Sequence, residues 1–131
     1  MEHYDIVVIG SGSGNTILDE DFADRRAAII DSGAFGGTCL NVGCIPSKAL
    51  IAAGSLLEKI KTADVMGISA KGVDLDVAKL VEWKTGIVGK LTGGVHGLLK
   101  NYGAKVVMGT AKIVDKNTVQ VTGGDGDQTL K

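Results

Sequence analysis

Cysteine, histidine and proline are all scarce in this sequence of 131 residues, and their scarcity argues against a zinc site and against a disordered linker. Two cysteines and two histidines, His3 and His96, do not provide a zinc site with four ligands at suitable spacing, so we expect no bound metal. A single proline beside 20 glycines is typical of tight turns and close backbone contacts rather than of a disordered linker.

No sign of charge is in excess, because 14 Lys and Arg residues stand against 15 Asp and Glu residues. This balance gives no electrostatic reason to expect nucleic acid or an anionic membrane as a partner. The sequence also has no secretory apolar segment and no uninterrupted apolar run of roughly 18 residues. We therefore expect a soluble, cytoplasmic protein of about one domain by length.

The first residues predict a strand, a glycine turn, a helix and a second strand. Tyr4–Ile9 is a short β-branched run, typical of a strand buried in a parallel sheet. Gly10 ends it, and Thr16–Ala23 then predicts a helix with one apolar side. A second apolar run, Ala27–Ile30, ends at Asp31, which follows Gly10 by 21 residues. This is the order and spacing of a βαβ unit that binds a dinucleotide.

Each residue type in that unit has a physical role in binding. Gly10 permits the tight turn, Gly12 lets the backbone approach a pyrophosphate, and the helix start offers N–H groups and a partial positive charge. Asn15 stands where a third glycine is usual, which leaves the packing of helix on strand open. Asp31 is placed to bind a ribose hydroxyl, and the alternative is a solvated carboxylate at a strand end.

Both cysteines lie in the segment Gly36–Lys48, which we interpret as a redox-active dithiol. In a regular helix, residues five apart are separated by about 7.5 Å of rise, whereas a disulfide needs Cα atoms within roughly 6.8 Å. A bridge between Cys39 and Cys44 therefore requires a distorted backbone, which Gly43 and Pro46 allow. A bridge strained in this way would be easy to reduce.

The charge near the thiols leads to a second expectation. Lys48 and a helix N-terminus would lower the pKa of a neighbouring thiol. The alternative interpretation is a pair of inert structural cysteines in the core.

Two long helices are expected next. Ala49–Ile60 has apolar residues on one side, and Asp74 predicts the cap of a second helix that packs against it as an antiparallel partner. Several glycines predict a kink or break of that second helix near Gly93–Gly94. Trp83 and His96 are expected to be packing or surface residues, with His96 as a base only a remote alternative.

The remaining residues are rich in β-formers. Lys105–Met108, Ala111–Val114 and Thr118–Thr122 predict a small antiparallel meander appended to the parallel sheet. The glycine cluster Gly123–Gly126 has no helix after it and predicts a turn, not a second nucleotide site. The sequence thus predicts an α/β fold: a partial Rossmann-like domain with a βαβ start, two long helices and an appended meander.

The glycine turn and the segment Gly-Gly-Thr-Cys-Leu-Asn-Val-Gly-Cys-Ile-Pro-Ser-Lys together resemble the flavoprotein pyridine nucleotide-disulfide oxidoreductases. The resemblance covers essentially the whole chain. Within the family, the turn that ends in Asn15 resembles the mycothione reductases. Ser47–Leu50, Leu91–Val95 and Val106–Ile113 resemble the dihydrolipoamide dehydrogenases, and these longer matches are preferred.

The resemblance implies a role for each matching residue. It implies that Cys39 exchanges with the substrate disulfide and that Cys44 is the thiolate beside the flavin. The residues that it implies in FAD binding are Gly10, Gly12, Gly14, Asp31, Gly37, Thr38, Lys48 and Ala111. It further implies NAD(P) as a second cofactor, a small lipoamide-like dithiol as substrate and a homodimeric enzyme.

The family enzymes are far longer than this chain. We therefore expect residues 1–131 to be an incomplete FAD-binding domain without the nicotinamide and dimerisation domains, and inactive by itself. An alternative of another class is an FAD-binding fragment without catalysis, and a bare dithiol redox protein is a weaker one.

Overall fold

The computed structural model describes residues 2–131, apart from the side-chain surroundings at positions 14 and 15. A parallel sheet of three strands forms its centre: β1 (Ile6–Ile9), β2 (Ala27–Asp31) and β3 (Lys105–Met108), in the order β1-β2-β3. In β2, residues 27–30 are buried. These four side chains are two alanines and two isoleucines, and such an apolar run suits a strand that is covered on both faces.

Helices cover one face of the sheet and an antiparallel sheet covers the other. On the helical face, Leu18, Phe35 and Leu99 pack with Ile29. On the opposite face, Ala28, Ile30 and Val107 pack with two residues of the antiparallel sheet, Val121 and Leu130. The predicted α/β fold is therefore confirmed, with the parallel sheet as the middle of three layers.

The predicted helix over Thr16–Ala23 is wrong. Two short 3-10 helices, Ser13–Ile17 and Glu20–Phe22, occupy this part of the chain. The Asp19 carboxylate accepts a hydrogen bond from the Asp21 N–H, a local bond that competes with helical ones. Of the predicted apolar side, Leu18 is buried but Ile17 is 51% exposed, so little burial energy favours a longer helix.

The segment with the cysteines forms two consecutive helices, α1 (Gly37–Asn41) and α2 (Cys44–Lys61). The helix predicted from Ala49 thus begins five residues earlier, at Cys44. Pro46 is accommodated because the first turn of a helix needs no donor at that position.

The helix α3 (Val77–Asn101) differs from expectation at two points. Its cap is Asp76, whose carboxylate accepts from the Lys79 N–H at 3.1 Å, not Asp74. It also runs without interruption through Gly93–Gly94, because its buried face packs on the sheet through Leu99. His96 makes an edge-to-face contact with the Phe35 ring at 5.2 Å, which is a packing contact as predicted.

The helices α2 and α3 pack against each other. Ile45, at the start of α2, lines the same groove as Leu91 and Val95 in the second half of α3, which fits the predicted antiparallel arrangement. Of the α2 side chains, only Ala49 is buried. The stretch Gly37–Lys61 has the length and hydropathy of a membrane span, but length and composition alone are weak evidence. The stretch is also not one continuous helix, because Val42 and Gly43 separate α1 from α2.

The predicted meander is confirmed for two of its three strands, Ala111–Val114 and Thr118–Thr122, and is wrong for Lys105–Met108. Lys105–Met108 is the third parallel strand, and the antiparallel sheet consists of β4 (Thr110–Asp115), β5 (Thr118–Thr122) and β6 (Gln128–Leu130). The corner between the sheets is Gly109, with φ of +152°. A β-carbon there would lie 2.6 Å from Val121 Cγ1, so the close packing of the two sheets requires glycine.

The exposed glycines of α3 give a testable stability effect. A β-carbon at Gly86 or Gly94 would meet nothing within 4 Å. Replacing either with alanine is expected to raise the free energy of unfolding by about 0.5–1 kcal/mol, because alanine loses less backbone entropy in a helix. Urea unfolding measures this as a higher midpoint at unchanged slope.

Gly124→Ala is the control, because that glycine has φ of +53° and a β-carbon would lie 2.2 Å from the Met108 carbonyl oxygen. It is expected to lower the midpoint. A lower midpoint in the α3 variants as well would contradict the view that their glycines are free of contacts.

Candidate functional site: a glycine turn against a cysteine pair

Asp31 lies at the carboxyl end of β2 and holds the glycine turn that follows β1. Its Oδ2 accepts hydrogen bonds from the Ser11 N–H at 2.7 Å and the Ser11 hydroxyl at 2.5 Å, and its Oδ1 accepts from the Gly33 N–H at 2.9 Å. The sequence spacing had predicted this proximity of Asp31 to the turn, but Ser11 was missed.

Two opposing effects act on the Asp31 carboxyl. Partial burial alone would raise its pKa, but the hydrogen bonds from Ser11 and Gly33 outweigh burial and hold the pKa below the usual value. The carboxylate is therefore ionised at neutral pH. Carboxylate oxygens have further acceptor capacity, so these bonds leave room for a ribose hydroxyl.

The turn itself has the tight geometry that was expected. Gly10 has φ of +94°, and its N–H donates to the Ile30 carbonyl oxygen at 2.7 Å. The expected α-helix dipole does not arise at this turn, because the turn leads into a 3-10 helix of five residues. An anion at this turn would thus depend on backbone N–H groups. The surroundings of Gly14 lie outside the described residues.

The glycine turn is in direct contact with the segment that carries the cysteines. The Gly36 N–H donates to the Ser11 hydroxyl at 2.9 Å. Gly37 has φ of +68°, and a β-carbon there would lie 2.5 Å from Gly12 Cα. Gly37 was predicted to line the cofactor, and in the structure it makes the close contact between the glycine turn and the cysteine segment.

The two cysteines lie on either side of a break in the helical backbone. Cys39 lies in α1, Cys44 is the first residue of α2, and Val42 and Gly43 between them leave helical geometry. Gly43 lies so close to the first helix that a β-carbon would be 3.2 Å from Cys39 Cα. The predicted distortion is confirmed, and both thiols are free and exposed.

The pKa of Cys39 is shifted in the direction opposite to that expected. A hydrogen bond to the Cys44 side chain raises this pKa most, and desolvation adds to the rise. The charge of Lys48 lowers it, as the sequence predicted, but by less. The expectation of a lowered pKa is therefore wrong for Cys39, whose thiol keeps its proton more firmly than an ordinary cysteine.

An open groove of about 640 Å³ lies between the glycine turn, the cysteine segment and α3. Its polar wall includes Ser13, Thr38 and Cys39. Its apolar wall includes Leu91 and Val95. The groove thus combines a glycine turn at one side, apolar side chains at another and a thiol on its wall, a mixture of polar and apolar lining that is common in cofactor sites.

Of three other predicted residues, Thr38 lines this groove, whereas Lys48 and Ala111 are not among its lining residues. Thr38 is exposed and lines it, as expected for a cofactor contact. Lys48 is exposed one helical turn after Cys44. Ala111 lies half-buried on β4, opposite Val121, and β4 follows the corner where the Gly109 N–H donates to the Asp31 carbonyl oxygen at 2.8 Å.

Asn41 and Thr92 were missed by the sequence reasoning. Asn41 lies between the cysteines and binds backbone carbonyls of its own segment, and the Thr92 hydroxyl donates to its Oδ1 at 3.3 Å. The position of a polar residue, Asn41, between the two cysteines could have identified it as a candidate from the sequence. No signal pointed to Thr92, which is 51 residues away.

A glycine turn between two parallel strands, with an acid at the end of the second strand, packs against a segment that carries two cysteines. Residues 4–131 match the family described as "Pyridine nucleotide-disulphide oxidoreductase". The chain belongs to this family.

Several relatives are named dihydrolipoyl dehydrogenase. The protein of Geobacillus stearothermophilus is 48% identical over 125 residues, and that of Bacillus subtilis (strain 168) is 46% identical over 127 residues. These matches cover 94% and 95% of this chain and 27% of each relative. The protein of Haloferax volcanii is 42% identical over 125 residues, which is 93% of this chain and 26% of the relative.

Proposed function

We propose that this chain is the FAD-binding part of an NAD-dependent dihydrolipoamide dehydrogenase. The observation that carries the proposal is the packing of the glycine turn against the segment with both cysteines, with Cys39 on the wall of the groove between them. The names of the relatives support the choice of substrate.

Cys39 is proposed as the thiol that exchanges with the substrate. In the oxidised pair, a substrate thiolate attacks the Cys39 sulfur, and Cys44 leaves as a thiolate. The second substrate thiol then displaces Cys39, and the substrate departs as a cyclic disulfide. Two electrons have passed to the pair, and the raised pKa of Cys39 favours its reduced, protonated form.

FAD is proposed to lie in the groove, with its pyrophosphate at Gly10 and Gly12 and a ribose hydroxyl on Asp31. Thr38, Lys48 and the backbone of Ala111 are proposed as further contacts. When bound, FAD would supply the two-electron chemistry that links the dithiol to NAD⁺. The chain's own residues bind the cofactor, hold the two sulfurs together and keep the thiol on Cys39 protonated.

A second candidate is supported by one observation, the turn sequence Gly-Ser-Gly-Ser-Gly-Asn at residues 10–15. This turn resembles the mycothione reductases, which would pair the same dithiol chemistry with a different disulfide and NADPH. A candidate of another class is a protein that binds FAD without catalysis.

The wider organisation of the protein belongs to the same proposal. The matched stretch is 27% of the Geobacillus stearothermophilus and Bacillus subtilis relatives, which supports placing the nicotinamide site and the subunit interface outside these 131 residues. We further propose a soluble, cytoplasmic homodimer. Neither nucleic acid nor a membrane has a part in the proposed function.

The proposed function is tested directly by purifying and assaying the polypeptide that the gene encodes. It is expected to purify with a flavin absorption spectrum and to reduce NAD⁺ with dihydrolipoamide. The same preparation is assayed with NADPH and mycothione, the disulfide of mycothiol. Absence of flavin after incubation with FAD would refute cofactor binding, and flavin without either activity would favour the non-catalytic alternative.

A further inference from the structure

We propose that Asn41 and Thr92 form a positioning pair, which holds the Cys39 segment where its thiol can reach Cys44. Asn41 is the last residue of α1, two residues after Cys39 and three before Cys44. Thr92 lies on α3, a separate part of the fold. The pair therefore connects the segment between the two cysteines to a long helix.

The amide of Asn41 organises its own segment. Its Nδ2 lies 3.1 Å from the Ala34 carbonyl oxygen and 3.0 Å from those of Phe35 and Gly37. All three partners are acceptors, so the nitrogen must face them, because the reverse orientation would set oxygen against oxygen. The segment from 34 to 41 is thus wrapped around one side-chain amide.

The other end of the amide is bound by α3. The Thr92 hydroxyl donates to Asn41 Oδ1 at 3.3 Å, and both residues are partly buried. On the same helix, Val95 and Leu99 belong to the core under the parallel sheet. Thr92 is therefore carried by an anchored element, and its hydroxyl fixes Asn41, and with it α1, relative to the sheet.

This fixation matters for disulfide formation. Two thiols close a bridge more readily when the fold holds them near each other, because less conformational freedom is lost on closure. Cys39 and Cys44 lie on either side of a helical break, and Gly43 in that break lies so close to α1 that a β-carbon there would be 3.2 Å from Cys39 Cα. Loosening α1 should lower the effective concentration of one thiol at the other.

The inference rests on the proposed function only through the dithiol, and it is tested without flavin chemistry, nicotinamide or lipoamide. The polypeptide encoded by the gene is equilibrated with oxidised and reduced dithiothreitol. Oxidised dithiothreitol takes two electrons and two protons from the Cys39 and Cys44 thiols, which form the disulfide as the reagent becomes its dithiol. Alkylation and mass measurement give the equilibrium constant.

Thr92→Val keeps the side-chain shape and removes the hydroxyl. It is expected to lower the equilibrium constant for disulfide formation about three- to tenfold, the range associated with one neutral hydrogen bond. Thr92→Ser retains the donor and should restore the equilibrium constant to within about twofold of the unmodified protein. Asn41→Asp should lower the constant further, because an acceptor would then face three carbonyl oxygens.

Thr85→Val is the matched control on the same helix. The Thr85 hydroxyl donates to the Val81 carbonyl oxygen at 2.8 Å, within α3 itself and away from the cysteines. It removes the same chemical group and should leave the dithiol equilibrium unchanged. Equal changes in the Thr85→Val and Thr92→Val variants would show a general effect on the helix and would overturn the positioning role.

The remaining outcomes separate this inference from the proposed function. An unchanged constant in Thr92→Val, with a normal disulfide in the unmodified protein, overturns the positioning pair alone. An unmodified protein that forms no disulfide overturns both. Loss of NAD⁺ reduction with a normal dithiol equilibrium, by contrast, would count against the proposed function and leave the positioning pair supported if Thr92→Val shifts the constant.

Discussion

Replacement of Gly37 with alanine is expected to abolish FAD retention and to lower the free energy of unfolding by about 2–5 kcal/mol. Gly37 has φ of +68°, where a β-carbon is disfavoured. That β-carbon would also lie 2.5 Å from Gly12 Cα, a backbone atom that cannot turn aside as a side chain can. The variant must therefore separate the glycine turn from the cysteine segment. Thermal unfolding and the flavin content of the purified protein measure the two effects.

Gly67→Ala separates strain from contact. Gly67 has φ of +77°, almost the same backbone conformation, but a β-carbon there would meet nothing within 4 Å. It should cost about 1–2 kcal/mol and leave FAD binding intact. If the two variants lost the same stability and the same amount of flavin, the contact between Gly37 and Gly12 would have no special importance.

The parts of the site that the sequence predicted correctly depend on short-range geometry. The distortion between Cys39 and Cys44 follows from helix rise over five residues, a constraint that any fold must meet. The position of Asp31 beside the glycine turn follows from two adjacent parallel strands joined by a short crossover. Neither prediction required knowledge of distant packing.

The wrong predictions concern segments where competing interactions decide the structure, and a local sequence pattern does not show which interaction prevails. Thr16–Ala23 has a helical pattern, but the Asp19 cap and the exposure of Ile17 favour 3-10 geometry. Lys105–Met108 has the composition of a strand in either sheet, and only its pairing with β2 decides which one. The short β6 has a polar residue at two of its three positions and gave no strand pattern.

The predicted direction of the pKa shift was wrong for Cys39 for a related reason. Lys48 is visible in the sequence, and its charge acts in the predicted direction. The hydrogen bond to Cys44 acts more strongly in the other direction, and it involves two residues on either side of the helical break. A sequence pattern identifies charges more readily than it identifies side-chain contacts.

Ser11 shows how the predicted parts form one site. Its N–H and hydroxyl donate to Asp31, and its hydroxyl accepts from the Gly36 N–H. One fully buried side chain thus connects the glycine turn, the end of β2 and the cysteine segment. We therefore expect a change in any of these three elements to affect the other two, and with them both the proposed cofactor site and the dithiol.

Replacement of Cys44 with alanine is expected to lower the proposed NAD⁺ reduction by roughly a thousandfold or more, because no intramolecular disulfide can form. The same change should lower the pKa of Cys39. The hydrogen bond to Cys44 is the largest cause of the raised value, and Lys48 still favours the thiolate after that bond is lost. The rate of Cys39 alkylation by iodoacetamide, followed against pH, should rise at a lower pH in Cys44→Ala than in the reduced unmodified protein.

Lys48→Gln provides a change of opposite sign in the same measurement. Without the positive charge, the pKa of Cys39 should rise further, and the alkylation profile should move to higher pH. The double variant should fall between the two single ones. If Cys44→Ala moved the profile to higher pH, the hydrogen bond between the thiols would not be the cause of the raised pKa, and Cys39 would not be held protonated by its partner in the dithiol.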